Sequence, residues 1–347
     1  MHSLTHQSPT VSSINAQTLQ DRPLQVLSHA LPSPSIPGHA FPAIIDCIRV
    51  HSPSSPINWI NLLHAVPGRF NLADLPTSPP ATPGVPLGAS DDYFTTKIFS
   101  SAVTAVDYET GVTPSMVRHQ LLAAPNSIHL SICERYIPPT SANEFENLFR
   151  VRVPSLLVDR LVELAPGNGC MIFLYPTKTG AQTFAQQYLA PVLDPVLRSM
   201  IVVNGFGADL SESLGRMTSV ERMMEFEEMK SRAQALCLEL NSGAAHVQAR
   251  LGRAQKSTFS LVYAAKHEVE LERKVWADWW VRQEKQRIRS VVGQYFRKAR
   301  GYHEGDPAAD KLPVTVVQEV LEAVEKRPAE APGSKIEVGV FVLKRSI

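Results

Sequence analysis

The sequence has little cysteine, and no two cysteines stand at a metal-binding or redox spacing. Its four cysteines, Cys47, Cys133, Cys170 and Cys237, lie far apart in apolar contexts. Without a CxxC pair, the chain does not fit the zinc-ribbon or thioredoxin-like classes. Isolated cysteines in apolar surroundings are typical of buried free thiols in a reducing compartment. We therefore expect neither a disulfide framework nor a metal site.

Long apolar runs and a dominant charge sign are also missing. No run approaches the roughly 18 apolar residues that a membrane helix needs. Lys and Arg number 34 against 33 Asp and Glu, a formal net charge of +1, so the whole chain is not attracted to nucleic acid or anionic lipid. Residues 1–21 lack the basic start and apolar stretch of a secretory signal. We expect a cytoplasmic or nuclear protein without a membrane or nucleic-acid partner.

Several catalytic and phosphate-binding motifs are absent. The loop "YPTKTG" after a strongly apolar run has one glycine and places Lys178 before it, unlike a phosphate loop. In "VNGFGADL", Gly205 and Gly207 are followed by Leu210 where a third glycine would stand, so a tight turn explains the segment better. The histidines show no HExxH spacing and there is no GxSxG motif. Hydrolase chemistry is therefore disfavoured.

Proline is abundant but unevenly placed. Most of the 27 prolines precede residue 140, and none occurs in residues 196–305. The Ser/Thr/Pro-rich residues 1–38 predict a disordered tail, followed by a single α/β domain over 39–347 with a Pro-rich loop at 75–92. Within this first part, the apolar run 43–50 predicts a strand, and the spacing of apolar residues in 59–66 is compatible with a helix.

After residue 112 the pattern alternates between strands and helices. This alternation predicts a mostly parallel sheet with helices on both faces, an antiparallel final strand pair and a helical insertion at 268–328 before the last strand. The predicted strands are 128–133, 171–174, 259–263 and 338–343, with a short apolar run at 200–203. A first helix is predicted in 113–124 and a long one in 218–243, where Thr218 and Glu221 form a capping-box pattern.

The helix around 282–300 interleaves aromatic and basic residues. Trp276, Trp280 and Tyr295 alternate with Arg282, Lys285 and Arg289 along it. Such a pattern occurs in nucleic-acid-binding helices, but a core-packed helix with a solvated basic face accounts for the same residues and is favoured. This basic face and the Pro-rich segment are the two places where we expect an unknown protein partner.

Two segments carry a family resemblance. The stretch "SIHLSICERYIPP" resembles the fourth strand and following loop of the class I S-adenosylmethionine-dependent methyltransferases. The stretch "LLVDRLVELAPGNGCMIFLYPT" resembles the helix, turn and fifth strand of the same family. The resemblance implies a Rossmann-like fold with S-adenosyl-L-methionine as cofactor. The family's glycine-rich cofactor motif is missing or degenerate, because residues 1–111 contain no GxGxG-like turn.

If the resemblance holds, the cofactor contacts come from the ends of the two matching strands. The candidate cofactor-binding residues are Glu134, Tyr136, Tyr175 and Thr177, which we expect to line one crevice, with Glu134 partly exposed. No catalytic residue is identified. Two functions stay open: an atypical S-adenosylmethionine-dependent methyltransferase of unknown acceptor, or a catalytically inactive Rossmann-like scaffold or interaction subunit.

Overall fold

The structure is a computed structural model. It describes residues 23–50, 59–76, 97–105, 108, 121–251, 257–300, 307–327 and 333–347. Among these residues, no helix combines the length and the apolar character that a membrane crossing requires.

A seven-stranded sheet organises the chain. Its strands are β1 (Leu24–Leu31), β2 (Trp59–Val66), β3 (Lys97–Thr104), β4 (Leu130–Arg135), β5 (Gly169–Pro176), β6 (Thr258–Val269) and β7 (Ile336–Ser346). The spatial order is β3-β2-β1-β4-β5-β7-β6. Strands β1 to β5 are all parallel to one another, whereas β7 lies between β5 and β6 and is antiparallel to both. The parallel part therefore has the strand order of a Rossmann-like fold.

Eleven helices of the described chain surround the sheet. They are α1 (Phe41–Val50), α2 (Ala142–Asn147), α3 (Leu156–Glu163), α4 (Lys178–Thr183), α5 (Ala190–Asn204), α6 (Ala208–Gly215), α7 (Thr218–Arg222), α8 (Phe226–Asn241), α9 (Ala245–Leu251), α10 (Arg273–Arg300) and α11 (Pro307–Lys326). A π-helical segment, Phe184–Leu189, joins α4 to α5, and a 3₁₀ turn covers Leu72–Asp74.

The helices cover both faces of the sheet. Apolar side chains of α2, α3, α8 and α9 pack with one set of strand residues, including Phe173 and Phe341. The side chains of α1 pack on the opposite face of β1, β2 and β4, and those of α5, α10 and α11 pack beyond them on β7. The mixed α/β class with helices on both faces is thus confirmed, as are the four strands predicted after residue 112 and the antiparallel final pair.

Three predictions before residue 70 are wrong. The segment β1 lies inside residues 1–38, which were expected to be disordered, and its residues 26–30 are buried. The expected strand 43–50 belongs to the helix α1, whose Phe41 and Ile45 face the core one turn apart while Asp46 is exposed. The expected helix 59–66 is β2. A strand covered on both faces has no alternation, so its apolar residues also fitted a helical period.

Later in the chain, the differences concern helices. Residues 200–203 are the last turns of α5, which ends at Gly205 with a φ of 67°. The single helix predicted at 218–243 is interrupted by extended backbone, giving α7 and α8. Met217 occupies the N-cap of α7 without a side-chain hydrogen bond, so the Thr218 capping box is wrong. Most of the helix predicted in 113–124 and of the Pro-rich loop 75–92 lies outside the described residues.

Candidate functional site

A cavity of about 500 Å³ opens at the carboxyl ends of the parallel strands. It lies where β1 is flanked by β2 on one side and β4 on the other, which is where the strand order reverses. In open α/β sheets, ligands bind in the crevice at this point. The cavity is lined by residues that follow β1, β2 and β3, by the end of β4 and by one side of α10.

The floor and the rim of the cavity differ in chemistry. Apolar groups of the strand ends and loops line part of the cavity, which we call its floor; among them are Leu31, Pro32, Ala65, Pro67 and Phe70. Five basic side chains also line it: Arg69, Arg135, Arg282, Lys285 and Arg289. Among the residues that the structure describes, the lining contains a single carboxylate, that of Glu144. The cavity is therefore amphipathic, with an excess of positive charge.

The loop after β1, where a Rossmann-like fold carries its glycine-rich turn, is packed under α10. The indole of Trp279 donates a 3.2 Å hydrogen bond to the Ser35 hydroxyl, and its ring lies 4.4 Å from that of His39. Gly38 adopts a φ of 84°, and a Cβ there would lie 2.5 Å from Val275 Cγ1. This loop is thus held by protein side chains, and its shape requires the glycine at position 38.

Glu134 at the end of β4 binds the N-terminus of α1. Its carboxylate accepts hydrogen bonds from the backbone N–H groups of Ala40 at 2.6 Å and Phe41 at 3.1 Å, and from the Tyr136 hydroxyl at 2.9 Å. Burial raises the pKa of Glu134 to about 7, opposed by these three hydrogen bonds. In dinucleotide-binding sheets the N-terminus of this helix receives the ligand's anionic group. Here the protein's own carboxylate occupies that position.

Arg135, the next residue, forms one wall of the cavity. Its guanidinium pairs with Glu144 at 2.7 Å and donates to the Gln283 side chain of α10 at 2.5 Å. Glu144 also accepts a 2.8 Å hydrogen bond from the Tyr175 hydroxyl. The one carboxylate of the lining is therefore already neutralised by Arg135 and hydrogen-bonded by Tyr175.

A buried polar network begins beside the cavity and extends along α3. Arg160 pairs with Glu163 at 2.9 Å and contacts Nδ1 of His29, a cavity residue, at 3.2 Å. Asp159 pairs with Arg250 at 2.6 Å and accepts a hydrogen bond from Tyr108 at 2.9 Å. Burial, together with the nearby Arg160 and Arg135, keeps the pKa of His29 well below its usual value. His29 is consequently neutral at physiological pH and adds no charge to the cavity.

The four predicted cofactor residues do not line this cavity. Glu134 and Tyr136 are bonded to each other beneath α1, and Tyr175 contacts Glu144. The Thr177 hydroxyl donates to Glu337 at 2.8 Å and caps α4 by accepting from the Gly180 N–H at 3.1 Å. The expectation that Glu134 is partly exposed is wrong, because its exposed fraction is 0%. Their role in binding S-adenosylmethionine stays a prediction.

The sequence reasoning missed the residues that do line the cavity. Arg69 follows β2, in a part of the chain where the strand was read as a helix. Arg282, Lys285 and Arg289 were assigned to a solvated face or a partner surface. Their spacing of three and four residues could have indicated a shared basic surface, since it places the three side chains on one side of a helix. In the part of the chain that the structure describes, no group of His, Cys, Asp and Glu residues is arranged to hold a metal ion.

Comparison with known proteins adds only a weak structural likeness. No protein-family model and no curated protein matches the sequence. Among solved structures, the chain is similar to coclaurine N-methyltransferase bound to N-methylheliamine and SAH, with a TM-score of 0.29 and 10% sequence identity. The alignment covers 98% of this chain and 73% of that one. The fold assignment rests on the strand order of the sheet itself.

Proposed function

We propose that this chain is a methyltransferase-like binding protein that holds a small molecule in the cavity at the carboxyl ends of β1, β2 and β4 without transferring a methyl group. The sheet supplies the position of the site. A volume of about 500 Å³ lies within the usual range of small-molecule sites, roughly 300–1,000 Å³. The proposal takes up the catalytically inactive alternative that the sequence left open, a Rossmann-like scaffold or interaction subunit, and adds a small-molecule ligand to it.

One observation carries the proposal: the Glu134 carboxylate lies at the N-terminus of α1. A cofactor bound as in a Rossmann-like fold would need those amide groups for its own anionic end. Two further features agree with this reading. Trp279 packs on the loop after β1, and β2 is followed by Arg69 where dinucleotide-binding sheets place an acidic residue for the ribose.

The second candidate is an atypical S-adenosylmethionine-dependent methyltransferase. It is favoured by the location and size of the cavity, which opens at the ligand edge of a Rossmann-like sheet. The candidate contacts for it are still Glu134, Tyr136, Tyr175 and Thr177. They would have to exchange their present hydrogen bonds for contacts with the cofactor.

Calorimetric titration of the full chain with S-adenosylmethionine separates the two. We expect no binding heat at millimolar cofactor, which corresponds to a binding free energy weaker than about −4 kcal/mol. Submillimolar binding that Thr177→Ala weakens and the exposed Thr179→Ala leaves unchanged would contradict the proposal and favour the methyltransferase. The protein partner expected on the Pro-rich segment and on the basic helix 282–300 stays a separate prediction.

A further inference from the structure

The basic side chains of α10 converge on the cavity from one side. Arg282, Lys285 and Arg289 follow one another at helical spacing, and all three line the cavity. Arg69 contributes from the loop after β2. Arg282 is bonded to Asp278 at 2.8 Å. Arg69, Lys285 and Arg289 have no carboxylate partner in the described part of the chain. The rim thus carries three basic groups whose charge is not offset by a carboxylate of the described residues.

These groups are exposed, whereas the residues that form the floor are apolar. Leu31, Pro32, Ala65 and Phe70 provide a surface for a ring or a short apolar body. Arginine matches phosphate oxygens with two parallel N–H groups, and lysine supplies a compact point charge. An apolar body with phosphate groups at one end fits this arrangement, since the body lies on the floor and the phosphates reach the rim.

S-adenosylmethionine has the opposite charge distribution. Its sulfonium is cationic, and its amino-acid end carries both signs, so its net charge is positive. A rim of uncompensated arginine and lysine repels such a ligand and attracts an anion. The helix N-terminus that binds phosphate in dinucleotide-binding sheets is filled by Glu134. The phosphate groups would therefore be held by side chains of α10 and the loop after β2.

We propose that the cavity binds an organic phosphate of nucleotide size, with its phosphates on Arg69, Lys285 and Arg289 and its ring on the apolar floor. This inference rests on the proposed function, since it names the ligand class of the same cavity. It assigns the basic face of α10 to a small anionic ligand, although the sequence alone favoured a solvated face.

The experiment is a calorimetric titration of the full-length chain with ATP, AMP, adenosine and inorganic triphosphate. We expect ATP to bind more tightly than AMP, adenosine to bind least, and triphosphate alone to bind more weakly than ATP because it lacks the ring. Raising the salt from about 50 to 200 mM should weaken ATP binding, since the rim charges are exposed.

A pair of double variants tests the assigned residues. The variant Lys285→Gln/Arg289→Gln should lower ATP affinity by about tenfold or more, because two charge-assisted contacts are removed. The variant Arg297→Gln/Lys298→Gln removes the same charge from exposed residues of the same helix outside the cavity lining. This control should bind ATP within about twofold of the parent chain. Circular dichroism of both variants checks that the fold is intact.

Several outcomes would overturn the inference. Equal losses in the two double variants would show general attraction of anions to α10. Equal affinity for triphosphate and ATP would contradict the proposed contact between the ring and the apolar floor. Absence of ATP binding would reject the ligand class, yet it would leave the proposed function to be decided by the S-adenosylmethionine titration. Binding of S-adenosylmethionine without ATP binding would reject both.

Discussion

The two halves of the sheet are built from different kinds of strand. In β1 and β2, Ser28, His29 and His64 are completely or almost completely buried. In β5 and β7 most buried positions are apolar, as at Met171, Phe173 and Leu343, and Arg345 is a buried charged residue among them. The cavity lies at the carboxyl ends of the first set, and the large apolar clusters surround the second. The half with less apolar packing is thus the half that offers a binding surface.

The two halves of the sheet therefore have different roles, packing in one and binding in the other. The half with β5 to β7 forms a well-packed frame, from which α10 reaches back over the first half. Trp279 of α10 stacks on Tyr136 and contacts the loop after β1. Since regions with fewer apolar contacts open at lower free energy than a core, the binding half is expected to depend on these contacts with the frame. Three substitutions test the comparison between the two halves of the sheet.

The largest effect is expected for Trp279→Ala. The side chain is fully buried between α10 and the loop after β1, so its removal should lower the free energy of unfolding by about 3–5 kcal/mol. Denaturant unfolding measures this. Trp59→Ala is the matched control, because Trp59 is 44% exposed and stacks on Phe99 at the end of the sheet. Similar losses in both variants would contradict the idea that α10 anchors the first half.

A smaller effect with a defined pH dependence is expected for Glu134→Gln. One amide oxygen cannot replace two carboxylate oxygens, and a buried donor left without its partner costs about 1–3 kcal/mol. The pKa of Glu134 is raised to about 7 in the fold, above its ordinary value of 4.5. The native state therefore keeps this proton to a higher pH than the unfolded state does. As pH rises from about 4.5 to 7, the contribution of this carboxyl group to the free energy of unfolding decreases.

The difference in unfolding free energy between the parent chain and Glu134→Gln should accordingly narrow as pH rises from about 5 to 8. Glu146→Gln is the control, since Glu146 is 39% exposed and forms only a 3.8 Å pair with Arg222. A difference that widens with pH would mean that the α1 amides outweigh burial and hold the carboxylate ionised.

The smallest effect is expected for His64→Leu. Both ring nitrogens of His64 are buried and lack a hydrogen-bond partner in the described residues, and burial lowers its pKa to about 4. The unfolded chain takes up a proton near pH 6.5 that the fold resists, so the parent chain loses stability as pH falls from 6.5 toward 4. At about pH 5 the leucine variant should be more stable by about 1–2 kcal/mol.

Unfolding of this variant at about pH 7 provides the comparison, because the histidine is uncharged there in both states and the gain should shrink to within about 1 kcal/mol. A loss of stability at both pH values would show that His64 makes a contact that its surroundings require.

The sequence predicted the frame better than the binding half, for physical reasons. The unbroken apolar run of β5 and the Pro166–Gly167 turn before it are strong local signals. In β1, Ser28 and His29 interrupt the apolar pattern although both are buried, so the strand was missed. The cavity could not be predicted from the sequence, because its lining comes from segments far apart in the chain. Likewise, Glu134 stood at a strand end as expected, but its partner Ala40 lies 94 positions away.

The place of β7 in the sheet has a consequence for how the protein is made. This strand bonds to β5 along one edge and to β6 along the other, yet the ribosome produces it after both. Until it emerges, β6 has no neighbour within the sheet, and β5 presents an open edge to solvent or to a chaperone. The Rossmann-like part can pair as it is synthesised, whereas closure of the frame must wait for the last strand. Exposed strand edges favour association with other chains, so slow translation through α10 and α11 would extend the interval in which the nascent chain is at risk.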